Sequence, residues 1–193
     1  MVSQMYGQGA RSLQHRFDSR RLADRLVEVT VHDRLTRTDR EFVERSAQFF
    51  LATIDPDGWP DVSYKGGRPG FVRVLDAATL VFPSYDGNGM FRSLGSIQAE
   101  PRVALLFVDF GQPDRMRVQG SATVSDDPSL VASFEGAQLV VRVEVERVWP
   151  NCSRYVHRME LTELSPHAPE PGHEPPVPDW KRMELFRDVL PGS

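Results

Sequence analysis

The sequence predicts a mainly β protein with flanking helices (α+β), built as an antiparallel barrel and not as a doubly wound parallel sheet. Three observations carry this. Apolar runs separated by turn residues follow one another as consecutive hairpins from Gln48 to Trp149, with few long helices between them. The run from Leu139 alternates Val141, Val143 and Val145 with Arg142, Glu144 and Glu146, the period of two of a half-buried strand. No Gly-x-Gly-x-x-Gly follows a strand and no P-loop is present, so a dinucleotide-binding parallel sheet is not expected.

Taken in order, residues 1–47 form a polar, Arg-rich helical lead. Leu22, Leu26 and Val29 recur there at helical spacing and predict at least one amphipathic helix. A further helix is expected to begin at Thr38, because Thr38 and Glu41 have capping-box spacing ahead of Phe42 and Val43. The arginines suggest a nucleic-acid arm, but Asp18, Asp24, Asp33 and Asp39 are interleaved with them, and a solvated helix face is the better reading. Residues 48–160 make the barrel. QFFLATID and WPDVSYK flank a turn at Asp55 to Gly58 as the first hairpin. GFVRVLD from Gly70 and TLVFPSY from Thr79 make the second. RVALLFVDF from Arg102 and DRMRVQGSATVSD from Asp114 make the third. Short helices are expected between Gly89 and Glu100 and near Ser129 to Phe134. Residues 161–193 are the tail. Six of the fifteen prolines lie between Pro166 and Pro178, which excludes a helix or central strand and predicts an extended arm. Trp180, Met183, Leu185 and Phe186 then sit at helical spacing and predict a short docking helix.

Composition limits the function classes. Lys plus Arg total 23 against 27 for Asp plus Glu, a formal net charge of −4, so nucleic acid is not an expected partner. The lone Cys152 allows no intrachain disulfide. The five histidines show neither His-Glu-x-x-His nor zinc spacing, so no metal site is expected. The N-terminus lacks the apolar core of a secretory signal, and the longest apolar stretch, Val103 to Val108, is too short for a membrane span. A soluble, cytoplasmic protein without membrane contact is expected.

Two segments point to chemistry. In DVSYKGGRPG, Ser63 and Lys65 lie two apart, so on a strand they share a face, and an ammonium with a hydroxyl can hold a phosphate. In VFPSYDGNGMFRSLGSI, a strand end at Pro83 leads through Gly-Asn-Gly to a helix start near Arg92, where free N–H groups favour anions. Ser84, Asn88 and Arg92 add polar contacts, while Tyr85, Met90 and Phe91 offer a surface for a flat ring. Each segment also reads as an exposed strand end or an ordinary turn. Together they describe a site for a planar, phosphorylated molecule.

The run from FLATIDPDG through SYKGGRPGF, LVFPSYDGNGMFRSL and PRVALLFVDF resembles the pyridoxamine 5′-phosphate oxidase-like family of flavin-binding split β-barrels, over roughly Gln48 to Val124. VVRVEVERVWPNCSRYVHR resembles the last strand and exit of an actinobacterial-type branch. The resemblance implies a homodimer, FMN in a cleft between subunits, a small-molecule substrate and an FMN-dependent oxidoreductase. It implies that Ser63, Tyr64 and Lys65 touch the flavin and its phosphate tail, and that Phe82, Pro83 and Ser84 lie beside the ring. Asn88, Gly89, Met90, Phe91 and Arg92 would grip the ribityl phosphate, and Arg117 and Gln119 would contribute ring contacts. Arg154, Tyr155 and His157 are the nearest candidates for the substrate side, and no catalytic residue is assigned. The true oxidases carry Arg where this chain has Ser63, and an Arg-Lys pair where it has Arg92 and Ser93. The alternative is a non-catalytic flavin-, haem- or deazaflavin-binding protein on the same scaffold.

Overall fold

A computed structural model describes residues 5–191. Helices α1 (Gln8–Arg16), α2 (Arg20–Thr30) and α3 (Arg37–Arg45) precede the strands. Then come β1 (Gln48–Ile54), β2 (Pro60–Gly66), β3 (Arg73–Asp76) and β4 (Thr79–Tyr85). Helix α4 (Arg92–Ala99), β5 (Arg102–Asp109), β6 (Asp114–Ser125), α5 (Pro128–Ala132) and β7 (Ala137–Pro150) complete the body. Every strand pairing is antiparallel, in the order β2-β1-β5-β6-β7-β4-β3. The two ends of that order, β2 and β3, share no ladder, and this is the split of a seven-stranded barrel.

Local chemistry explains the hairpins. Asp55 Oδ1 accepts the N–H groups of Asp57 and Trp59 at 3.0 and 2.8 Å, while Gly58 takes φ +85° to turn the chain between β1 and β2. Asp76 Oδ1 accepts from Ala78 N at 2.7 Å between β3 and β4. Asp109 Oδ1 does the same for Gly111 and Gln112 between β5 and β6. Alternation then buries one face of each strand. Phe49, Leu51, Phe82, Leu105, Phe107, Val118, Val143 and Val148 form the interior. Phe49 is its hub, with Phe82 edge-on at 4.9 Å, Phe107 at 5.1 Å and Phe71 stacked at 5.9 Å.

The lead differs in register from expectation. Helix α3 starts at Arg37, not Thr38, because the capping box is formed by Thr36 and Asp39. Asp39 N donates to Thr36 Oγ1 at 3.2 Å, and Asp39 Oδ2 accepts from Thr36 N at 2.8 Å. The Asp39 carboxylate also meets His32 Nε2 at 2.8 Å, so the shorter acid two residues earlier wins. Glu41 instead pairs with Arg37 on the exposed face. Helix α3 is pinned to the barrel, since Glu44 accepts from Val74 N and Gly70 N through its side chain and carbonyl. Helices α1 and α2 form a hairpin held by the Arg11–Asp24 ion pair and leave Leu13, Phe17, Leu22, Leu26 and Val29 exposed.

The tail has no regular element from residue 151 to 178, and it folds back on the barrel. Arg68 pairs with Glu170, Ala168 is buried, and Pro169 lies against Gly136. The expected docking helix is instead two 3-10 turns, Asp179–Arg182 and Glu184–Val189. Met183 between them is extended, at φ −69° and ψ 135°, which breaks the helical register. Among the described residues no helix is long and apolar enough to cross a membrane.

A bulge between Gln119 and Gly120 shifts the register of β6 against β7. A Cβ on Gly120 would sit 2.1 Å from the Glu144 carbonyl oxygen, so only glycine lets the strands close. Gly120→Ala is expected to cost about 2 kcal/mol or more and to lower Tm by roughly 4–8 °C. Thermal unfolding checks this, and an unchanged Tm would mean that the strands part there without cost.

Candidate functional site

A cleft of about 300 Å³ lies between β2 and the β4–α4 connection. Strand β2 supplies Asp61, Ser63 and Lys65, which alternation turns to one face. The β4 end supplies Ser84 and Tyr85, and the loop supplies Gly87, Asn88, Met90 and Phe91. The helix start supplies Arg92, Ser93 and Leu94. Two segments separated in the sequence by a whole hairpin strand thus meet in one place.

The loop is shaped by its own backbone. Asn88 Oδ1 accepts from Met90 N at 3.1 Å, and Gly89 takes φ +74°. Phe91, the residue before α4, lies at φ 48° and ψ 25°, a left-handed conformation that disfavours a bulky side chain. That strain costs on the order of 1–2 kcal/mol and is met here beside a cleft. Phe91 supplies no side-chain cap, so the first N–H groups of α4 have no capping acceptor. Uncapped helix-start donors carry partial positive charge into the cleft wall.

Charge in the cleft is unevenly compensated. Lys65 is half-buried, and desolvation lowers its pKa below the ordinary 10.5, while Asp61 pulls the other way. Arg92 has its Nε 3.7 Å from Asp61 and its Nη2 4.0 Å from Asp55. Its charge is therefore shared with two acids. Ser63 Oγ and Ser93 Oγ are 3.0 Å apart and bonded to each other across the cleft. Met90 and Phe91, 63% and 51% exposed, make an open apolar wall. Burial raises the Tyr85 phenol above 10.0 against the opposing effect of Arg73.

The expected residues divide into two groups. Ser63, Lys65, Ser84, Asn88, Met90, Phe91 and Arg92 come together in the cleft, and Gly89 shapes its loop. Phe82 and Pro83 are buried and do not line it, Phe82 lying in the core against Phe49. Tyr64 turns to the opposite face of β2, where its hydroxyl donates to Gln48 Oε1 at 3.1 Å and its ring packs edge-on to Phe50. Arg117 and Gln119 occupy that same outer face and bond to Asn151 and Arg147. Arg154, Tyr155 and His157 are exposed on the exit from β7 and do not line the cleft. A larger, open groove of about 1000 Å³ runs along the outer face past Phe50, Tyr64 and Met159. Asp61 was missed, although it lies two residues before Ser63 on the same face. Among the described residues no group of three or more His, Cys, Asp or Glu side chains is placed to hold a metal ion.

Comparison with known proteins agrees with this architecture. A family model described as pyridoxamine 5′-phosphate oxidase matches residues 35–163, more than half of the chain. A candidate pyridoxamine 5′-phosphate oxidase from Lactobacillus delbrueckii aligns with TM-score 0.51 and 26% identity, over 61% of this chain and 95% of that one. HupZ from Group A Streptococcus aligns with TM-score 0.50 and 16% identity, over 65% and 99%. No curated protein matches the chain. With the matched region spanning α3, the barrel and the cleft, the chain belongs to the pyridoxamine 5′-phosphate oxidase family.

Proposed function

We propose that this protein is an FMN-dependent oxidoreductase acting on a small molecule. One observation carries the reading: a half-buried ammonium, an uncapped helix start and an open aromatic wall converge on one cleft. Those donors fit a phosphate monoester, and the wall fits a flat ring. Lys65 and the first N–H groups of α4 would hold the phosphate, while Ser84 and Asn88 would orient the ribityl chain. Met90 and Phe91 would exclude water from one side of the ring. FMN, when bound, supplies the hydride chemistry, which is consistent with a cleft that holds no histidine or cysteine.

The reading includes a homodimer. Arg117 and Gln119 lie on a face continuous with Tyr64, Phe50 and Leu106, which pair across β2, β1, β5 and β6. Half-exposed apolar side chains there, and the bare face of α1 and α2, are what a second copy would cover. Arg117 and Gln119 of one copy would then complete the cleft of the other. The alternative is a cofactor-binding protein without catalysis. It is favoured by the Ser63–Ser93 bond, which stands where the true oxidases place two cations.

The visible spectrum of the purified protein separates the cofactor readings. Two flavin bands are expected, and a single intense Soret band would overturn the proposal. Anaerobic reduction of a bound flavin by a nicotinamide donor then tests catalysis. Failure with every donor and acceptor would favour the binding protein.

Lys65→Ala should weaken FMN roughly 10- to 100-fold, since a charge-assisted bond is lost, with riboflavin much less affected. Arg92→Ala should give a smaller loss in the same direction, because Asp61 and Asp55 already share its charge. Equal losses for both ligands, read by fluorescence titration, would remove these residues from a phosphate site.

The affinity should also depend on pH. Lys65 contributes to holding the phosphate only while it is charged, and burial makes that charge disappear below the ordinary 10.5. FMN affinity should therefore stay level above about pH 7, where the phosphate monoester is a dianion, and fall as pH rises through the lowered Lys65 value. Riboflavin, with the same ring and no phosphate, is the control. Parallel pH profiles for the two would exclude Lys65 as the titrating group.

A further inference from the structure

The C-terminal arm ends on the loop that builds the cleft. Lys181 Nζ lies 2.5 Å from Asp86 Oδ2, a contact spanning 95 residues. Lys181 is the better covered partner, with its side chain 24% exposed against 61% for Asp86. The lysine is fixed from its own side as well. Its ammonium lies 5.7 Å from the Trp180 ring centroid, and Trp180 packs edge-on against Phe186. Upstream, the Arg68–Glu170 pair and the Pro169 contact on Gly136 anchor the arm.

Asp86 sits between Tyr85 and Gly87, both of which line the cleft. Its other oxygen accepts from Gln138 Nε2 at 3.5 Å. Of the nearby carboxylates Asp61 lines the cleft itself, Asp55 reaches it through Arg92, and Asp86 belongs to the loop that forms its wall. Arg92 faces the first two. Lys181 pairs with Asp86. Without it, an uncompensated carboxylate would stand on the loop of a site that has to accept a dianion, and Coulomb repulsion would oppose binding.

We propose that Lys181 is a positioning residue of the phosphate site: it neutralises Asp86 and ties the 84–91 loop to the C-terminal arm. This rests on the reading of the cleft as a site for a phosphorylated ligand. The role acts through Asp86, so the two residues form one electrostatic unit. The tail is then part of the binding apparatus.

The test is a charge cycle on the full chain with Lys181→Met, Asp86→Asn and the double variant, titrated with FMN and riboflavin. Lys181→Met should raise the FMN Kd roughly three- to tenfold, more at low salt than at high, and leave riboflavin nearly unchanged. Asp86→Asn should leave FMN affinity equal to wild type or tighter. The double variant should recover the loss. An unchanged FMN Kd in Lys181→Met, equal losses for both ligands, or no recovery in the double variant would overturn the proposal. If wild-type protein takes no flavin, the FMN reading itself fails, and inorganic phosphate becomes the probe. Thermal stabilisation by phosphate that is reduced in Lys181→Met and regained in the double variant would support the role of Lys181. Equal stabilisation in all variants, or none in wild type, would overturn it.

Discussion

The packing of three phenylalanines around Phe49 is the constraint on which the remaining architecture rests. Strands β2 and β3 are not joined by backbone hydrogen bonds, so nothing in the sheet ladder itself closes the barrel. Closure comes from the side chains. Phe49 from β1 meets Phe71 from the β2–β3 connection, Phe82 from β4 and Phe107 from β5, all buried. Full burial of each ring contributes a few kcal/mol, and the edge-on and stacked geometries set the spacing between the sheet's two ends. The cleft opens at this split, with β2 and the end of β4 as two of its walls. A split that hydrogen bonds had closed would leave no room for a ligand.

Charge in the cleft is arranged sparingly. Two positions that carry cations in the true oxidases are Ser63 and Ser93 here, and the structure joins them by a 3.0 Å hydrogen bond. The departures are therefore coupled: each hydroxyl satisfies the other, and neither is left unpaired near the buried start of α4. What remains positive is the desolvated Lys65, a shared Arg92 and the helix start. With so little surplus, neighbouring carboxylates matter more than they would in a strongly basic pocket. The distant Lys181 contact on Asp86 belongs to that balance.

Much of this was legible along the chain because its causes are local. Turn signals at Asp55 to Gly58, at Asp76 and at Gly111 to Pro113 marked the three hairpins, and the structure adds Asp109 as the acceptor in the third. Period-two alternation put Ser63 beside Lys65, and the same rule sends Tyr64 to the other face. The capping box was misplaced by two residues because two Thr-x-x-acid patterns overlap, at Thr36 and at Thr38. Only the contact of Asp39 with His32, which is bridged in turn to Val148, favours the first. Arg154, Tyr155 and His157 lie on an irregular exit whose course depends on contacts such as Met159 N with the Phe110 carbonyl, and periodicity carries no information about these.

The sequence by itself determined the strand series, the same-face pair Ser63 and Lys65, the glycine-rich loop before α4 and the non-regular tail, because turns, alternation and proline act within a few residues of themselves. Tertiary structure alone decided that Ser63 meets Ser93, that Arg92 is shared by Asp55 and Asp61, and that Lys181 returns across 95 residues to Asp86. Each of these joins segments whose separation is set by the packed aromatic interior. A contact of that kind exists only once the core has fixed the distance between its partners.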